Sequence, residues 1–133
     1  MTRRASCGCG QLSVTCEGEP FRISMCHCLA CQQRTGSVFG VQARFGRGQI
    51  SAIEGVATAY TRPADSGNSV TFHFCATCGT TVYWQLSAFP EVTVVAVGAF
   101  ADPGFPEPGH SVFEASRHGW AMTAAGLDME HLD

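Results

Sequence analysis

The sequence has few charged residues and no run of basic ones. Charged side chains make up 14% of its 133 residues and the formal net charge is −3. Soluble proteins average about 25% charged residues, so this composition favours a compact globule over a disordered or coiled-coil chain. Proteins that bind nucleic acids mostly neutralise phosphates with Lys and Arg, and the sequence therefore predicts no nucleic-acid partner.

Long apolar stretches are also missing. The first residues include Arg3 and Arg4, but no apolar segment follows them, so we expect no signal peptide. The longest apolar run, at 92–100, is about half of the roughly 20 residues that a membrane-spanning helix needs. We therefore expect no membrane partner and a cytoplasmic location, where thiols stay reduced.

Repeats, low-complexity segments and a helical apolar period over three turns are absent as well. We expect a single domain over 1–133, with its folded core at about 5–120. Helix is expected only as one turn after Cys31 and as a short or frayed segment in the last dozen residues. Runs that alternate in polarity or are rich in β-branched residues predict strands at 11–16, 38–45, 49–53, 57–61, 70–74, 80–85 and 92–97. This pattern, with an irregular proline-rich connection at 101–109, is typical of an all-β fold.

What the sequence does contain is cysteine, mostly in three tight clusters. Seven of the eight cysteines lie in Cys7-Gly8-Cys9, in Cys26-His27-Cys28-Leu29-Ala30-Cys31 and in Cys75-Ala76-Thr77-Cys78. Thiolates at such short spacings most often hold zinc, which prefers a tetrahedron of four soft ligands. Disulfides are the alternative, but the missing secretory signal and the strain of C-x-C pairs disfavour them.

The pair formed by Cys75 and Cys78 is typical of a zinc knuckle, in which Gly79 turns the chain back. A redox C-x-x-C motif is the alternative, but it needs a following helix to lower the thiol pKa, and 80–85 favours a strand. Because a knuckle supplies only two ligands, Cys7 and Cys9 are the natural partners, and we expect a structural zinc that clips distant segments together. Otherwise, Cys7 and Cys9 would be small buried hydrophobic residues.

The triplet Cys26, Cys28 and Cys31 supplies three ligands and leaves a fourth position to water, a substrate thiol or His27. We disfavour His27, because neighbouring side chains diverge in an extended or turning segment. Three thiolates make Zn²⁺ a weak Lewis acid, which suits holding a fourth thiol as a nucleophilic thiolate better than activating water. The alternative is an empty triplet or a purely structural metal.

The remaining candidate residues favour structural roles. Cys16 has no close partner and is expected in the core, and His73 is expected at the surface or beside the ligands. Three further histidines lack metal-ligand spacing: His110, His118 and His131. Trp84, Trp120 and the nine phenylalanines are expected in the core.

Taken in order, the clusters resemble the glutathione-dependent formaldehyde-activating enzyme family, which includes the centromere protein V type. The likeness covers about residues 5–120. It rests on Cys7-Gly8-Cys9-Gly10, Cys26-His27-Cys28, Cys31-Gln32-Gln33-Arg34-Thr35-Gly36, Phe74-Cys75, Cys78-Gly79-Thr80 and 110–120. It implies a β-tent fold of short antiparallel sheets around two zinc ions per chain. The structural zinc would lie on Cys7, Cys9, Cys75 and Cys78, and the catalytic-type zinc on Cys26, Cys28 and Cys31.

The resemblance also implies carbon–sulfur lyase chemistry, in which a small thiol such as glutathione and formaldehyde form S-hydroxymethylglutathione. The carboxylates of glutathione would need cationic partners. The candidates are Arg34, Arg44, Arg47, Arg62 and Arg117. Two other functions stay open: a zinc-stabilised binding module without turnover, and a redox or metal-labile sensor.

Overall fold

The computed structural model describes residues 1–64, 66–121 and 128–133. Within these residues the chain forms eleven β-strands and one α-helix. The strands are β1 (Thr2–Ser6), β2 (Ser13–Glu17), β3 (Arg22–Cys26), β4 (Gly40–Gly46), β5 (Ile50–Glu54), β6 (Thr58–Pro63), β7 (Ser69–Phe74), β8 (Thr81–Leu86), β9 (Phe89–Ala96), β10 (His110–Val112) and β11 (Glu130–His131). The helix, α1, spans Leu29–Thr35, and short 3₁₀ helices lie at Arg47–Gln49, Val97–Phe100 and Glu114–Ser116. The predicted all-β fold is confirmed.

The strands form two sheets. The three-stranded sheet has the order β1-β2-β5, and the eight-stranded sheet has the order β11-β10-β3-β4-β9-β8-β7-β6. Neighbouring strands are antiparallel, as predicted, except that β10 runs parallel to both β3 and β11. This parallel pairing places Val112 opposite Cys26, and so brings the segment after β10 to the cysteine triplet.

The main core is built from residues of both sheets. Phe45, Tyr83 and Val95 of the eight-stranded sheet pack in one cluster with Val14 and Cys16 of the three-stranded sheet. Full burial of a large apolar side chain such as Phe45 contributes roughly 1.5–3 kcal/mol to stability. The expected core position of Cys16 is confirmed, because its side chain is fully buried here.

The opposite face of the eight-stranded sheet carries a second, smaller cluster. Phe72, Trp84 and Val94 are paired across three neighbouring strands and are buried together. Side chains alternate between faces along a strand, so this cluster points away from the main core. The expected burial of Trp84 is confirmed, and this face forms the floor of the candidate site.

Four of the aromatic residues that were expected in the core are exposed instead. Trp120 is 72% exposed, and Phe21, Phe89 and Phe113 are also largely exposed. Phe21 and Phe113 lie just outside strand ends, and Phe89 is the first residue of β9. No other segment covers these four side chains within the part of the chain that the structure describes. Aromatic residue type alone therefore gave the wrong prediction.

Helix α1 begins earlier than expected, at Leu29, and so contains Cys31. Cys28 is its N-cap, and the Cys28 thiol accepts a hydrogen bond from the Cys31 backbone N–H at 3.3 Å. The helix is capped at its C-terminus by Gly36, which has a positive φ of 71° and whose N–H donates to the Gln32 carbonyl. The expected C-terminal helix falls partly on 122–127, outside the described residues. None of the described helices is long and apolar enough to cross a membrane.

Candidate metal centres and the cavities beside them

Two turns at the same end of the molecule bring four cysteines together. Cys7 and Cys9 lie in the turn between β1 and β2, while Cys75 and Cys78 lie in the turn between β7 and β8. The Cys7 N–H bonds the Leu12 carbonyl, and the Cys75 N–H bonds the Thr80 carbonyl. These bonds close each turn, so both pairs of sulfurs converge between the two sheets.

The four sulfurs have the spacing of a tetrahedral zinc site. All lie within 4.8 Å of one another, and the distances from the Cys9 sulfur to those of Cys7 and Cys75 are both 3.6 Å. A tetrahedron with Zn–S bonds of roughly 2.3 Å has edges of about 3.8 Å. A disulfide needs about 2.05 Å, and all eight cysteines are free thiols. The residues therefore fit a metal ion and not a disulfide.

Hydrogen-bond donors surround these sulfurs, which is the environment that thiolate ligands need. The Gln11 amide donates to Cys75 at 3.1 Å, the Leu12 N–H donates to Cys7 at 3.3 Å, and the Thr80 hydroxyl lies 3.4 Å from Cys78. The Thr80 hydroxyl is the main reason that the pKa of Cys78 falls to about 5. Cysteine spacing gave no signal for Gln11, whose role depends on the fold.

The second cluster lies at the junction of β3 and α1. Cys26 ends the strand, Cys28 caps the helix and Cys31 lies in its first turn, and the three sulfurs lie within 4.8 Å of one another. Cys26 and Cys31 are buried, whereas Cys28 is partly exposed. Among the described residues, no histidine nitrogen joins either sulfur cluster.

Without a cation the triplet favours a single thiolate. Hydrogen bonds from the Cys26 thiol, and then from the Cys31 thiol, lower the pKa of Cys28 to about 2. The same Cys28 contact raises the pKa of Cys26. All three sulfurs can ionise together only if a positive charge lies between them. The donor set therefore fits a divalent cation with thiolate preference, which among common metals favours zinc.

A cavity of about 610 Å³ opens beside the triplet. Its floor is the second face of the eight-stranded sheet, where Gln42, Arg44, Phe72 and Trp84 line it. Its roof is the start of α1, together with Phe113 and Ser116. Phe113 has a positive φ of 55°, which is uncommon for a bulky side chain.

The five candidate arginines separate into three groups. Arg44 and Arg62 line the triplet cavity, Arg34 lines two neighbouring cavities, and Arg47 and Arg117 line none of these three. Arg47 instead donates to the Pro90 carbonyl at 3.4 Å. Among the described residues, no carboxylate lies within 4.0 Å of Arg34, Arg44 or Arg62.

His27 lies between two of the cysteines, but its ring contacts the β10 segment. The ring is fully buried, and its Nε2 lies 3.0 Å from the Ser111 hydroxyl. Burial lowers the pKa of His27, which favours the neutral ring. Gln32 strengthens the same junction by donating to the carbonyls of His27 and Ser116. Sequence spacing could not place Ser111, because its position depends on the parallel pairing of β10 with β3.

Comparisons with known proteins agree with this architecture. The sequence model of one family, described as Glutathione-dependent formaldehyde-activating enzyme, matches residues 2–116. The crystal structure of a Rhodobacter sphaeroides protein is similar in fold, with a TM-score of 0.57 and 22% sequence identity. That similarity covers 77% of this chain and 90% of the other. At this identity, the likeness shows the fold alone.

Proposed function

The chain belongs to the glutathione-dependent formaldehyde-activating enzyme family, and we propose that it is a zinc-dependent enzyme of the carbon–sulfur lyase type. Its substrates would be a glutathione-like thiol and a small aldehyde such as formaldehyde, in the cytoplasm. One observation carries this proposal: Cys26, Cys28 and Cys31 converge beside a cavity that Arg44 and Arg62 line without a carboxylate partner among the described residues.

The two cysteine clusters would hold two zinc ions with different roles. The cluster of four supplies a complete ligand set and is suited to a structural ion. The triplet leaves one position open, which is the arrangement of catalytic sites. When bound there, zinc would supply the positive charge that keeps a substrate thiol ionised and nucleophilic at neutral pH.

The residues of the chain would bind and orient the thiol. Arg44 and Arg62 offer planar guanidinium groups, which match carboxylates in a bidentate geometry. Burial lowers the pKa of Arg44, and its Nε is buried without a hydrogen-bond partner among the described residues. A substrate carboxylate would satisfy this donor. Phe72 and Trp84 would exclude water from the floor of the site.

The bond changes balance without an oxidant or a reductant. In the forward direction the sulfur of the thiol bonds to the aldehyde carbon, and the carbon–oxygen double bond becomes a single bond. The proton lost by the thiol ends on that oxygen, which gives a hydroxymethyl thioether. In the reverse direction the carbon–sulfur bond breaks. Positioning the thiol by its carboxylates would lower the entropic part of the barrier.

The test is the rate of exchange between ¹³C-formaldehyde and S-hydroxymethylglutathione, measured by NMR. We expect the zinc-loaded protein to accelerate the exchange, and Cys28→Ser to return it to the uncatalysed rate while keeping its fold. Cys16→Ala is the matched control, because Cys16 is buried outside both clusters, and it should keep the acceleration. No acceleration by protein that binds glutathione would contradict the enzyme and favour a binding module.

A further inference from the structure

The side chain of Arg34 lines a second cavity beside the triplet cavity, together with Tyr60, Arg62 and Phe72. We infer that this second cavity binds the carboxylate of the thiol substrate that lies farther from its sulfur. The inference rests on the proposed function, which places the substrate sulfur at the open position of the Cys26, Cys28 and Cys31 triplet. It adds a subsite for the opposite end of the same molecule.

Arg34 is held firmly but is short of hydrogen-bond acceptors. Its guanidinium carbon lies 4.3 Å from the centre of the Trp84 ring and 5.9 Å from that of Phe72. These contacts stabilise the positive charge through the faces of the rings. Its Nε and Nη2 are nevertheless buried without a hydrogen-bond partner among the described residues. Buried donors are normally paired, so a ligand oxygen would complete this environment.

The missing side chain of Gly40 leaves room for the guanidinium of Arg34. A Cβ atom at Gly40 would lie 2.7 Å from the Arg34 Nη2 atom, a distance that requires the guanidinium to move. The φ of Gly40 is not in the left-handed region, so its backbone does not require glycine. The absence of a side chain at this position therefore fits the placement of Arg34.

The second cavity has a volume of about 510 Å³ and is rich in positive charge. Arg34 and Arg62 both line it, together with the rings of Tyr60 and Phe72. No Asp or Glu among the described residues lines this cavity or the triplet cavity. A guanidinium pair without acidic neighbours suits an anionic group, and a carboxylate matches its planar geometry.

The two cavities are adjacent, since Ala30, Arg62 and Phe72 line both. A ligand whose sulfur lies at the cysteine triplet can therefore extend past Arg62 towards Arg34. Arg44, on the floor of the first cavity, is available to the other carboxylate. This arrangement suits an extended thiol with two carboxylates better than a short one.

Binding measurements by calorimetry with three probes test the inference. Glutathione carries the thiol and both carboxylates, S-methylglutathione keeps both carboxylates but has no free thiol, and 2-mercaptoethanol is a small thiol without a carboxylate. We expect Arg34→Gln to weaken glutathione and S-methylglutathione by roughly tenfold or more, because a charge-assisted contact is lost. Binding of 2-mercaptoethanol should not change.

Two further variants keep the result independent of a folding defect. Gly40→Ala keeps the arginine in the sequence but displaces its guanidinium, and should weaken the binding of the same two probes. Arg47→Gln is the matched control, because this exposed arginine lines neither cavity, and it should bind all three probes as the parent does. Unchanged zinc content and Tm mark each variant as folded.

The outcomes separate this inference from the proposed function. Suppose that Arg34→Gln weakens S-methylglutathione, but Cys28→Ser changes the binding of neither glutathione nor 2-mercaptoethanol. The proposed thiol function is then contradicted, and the carboxylate site is supported. If Arg34→Gln weakens 2-mercaptoethanol as much as glutathione, Arg34 acts on the triplet and the inference is overturned. No effect of Arg34→Gln on the binding of glutathione would also overturn it, because Arg34 would then hold neither carboxylate.

Discussion

The sulfur of Cys9 lies 3.6 Å from the sulfur of Cys75, although 66 positions separate the two residues. The contact joins the β1–β2 turn of the three-stranded sheet to the β7–β8 turn of the eight-stranded sheet. The main core contains residues of both sheets, so a metal at this point would fix their relative orientation. Closing so long a loop through a metal contributes directly to folding.

We therefore expect Cys75→Ser to unfold or aggregate the protein. Structural zinc in small peptides contributes about 10–16 kcal/mol of apparent binding energy, which is comparable to the whole stability of a typical domain. Cys28→Ser is the matched control: it removes one ligand from the triplet, and we expect it to melt close to the parent. Thermal melts followed by circular dichroism check this, and a normal melt for Cys75→Ser would refute the structural role.

The turn around Cys75 also depends on Gly55. Gly55 has a φ of 93°, and a Cβ atom there would lie 1.8 Å from the Gln11 carbonyl oxygen. Gln11 hydrogen-bonds both polar backbone groups of Val56 and donates to the Cys75 sulfur. A side chain at Gly55 would therefore disturb the residue that supports a metal ligand.

We expect Gly55→Ala to lower the free energy of unfolding by at least about 2 kcal/mol, since the left-handed backbone alone costs about 1–2 kcal/mol. Gly48→Ala is the control, because its φ is not left-handed and no heavy atom lies within 4 Å of the added Cβ. Urea unfolding of both variants measures the difference. Equal stability of the two variants would mean that the Gly55 turn adapts at little cost.

Much of the strand pattern could be predicted from local sequence. The run at 92–97 lies largely within β9, and the run at 70–74 corresponds to β7, because alternation and β-branching report burial on a sheet face. Strands β1, β3, β10 and β11 were missed. The charged residues of β1 hide its alternation, and β10 has only three residues and depends on a distant partner.

The sulfur clusters were predictable because short spacing limits where the ligands can lie. Both predicted groups come together in the structure. The roles of the arginines were not predictable, since Arg44 and Arg62 meet at one cavity only after β3–β4 and β6–β7 pair in the eight-stranded sheet. Helix α1 has only seven residues, too few for a periodic signal, so the inclusion of Cys31 in the helix was missed as well.

Zinc content per chain, measured on protein purified without chelator, tests the central claim most directly. We predict two zinc ions per chain for the parent and one for Cys28→Ser, since only the triplet would lose its ion. One zinc ion per chain in both proteins would contradict the account, because the triplet would then hold no metal and could not bind a thiol in the proposed way.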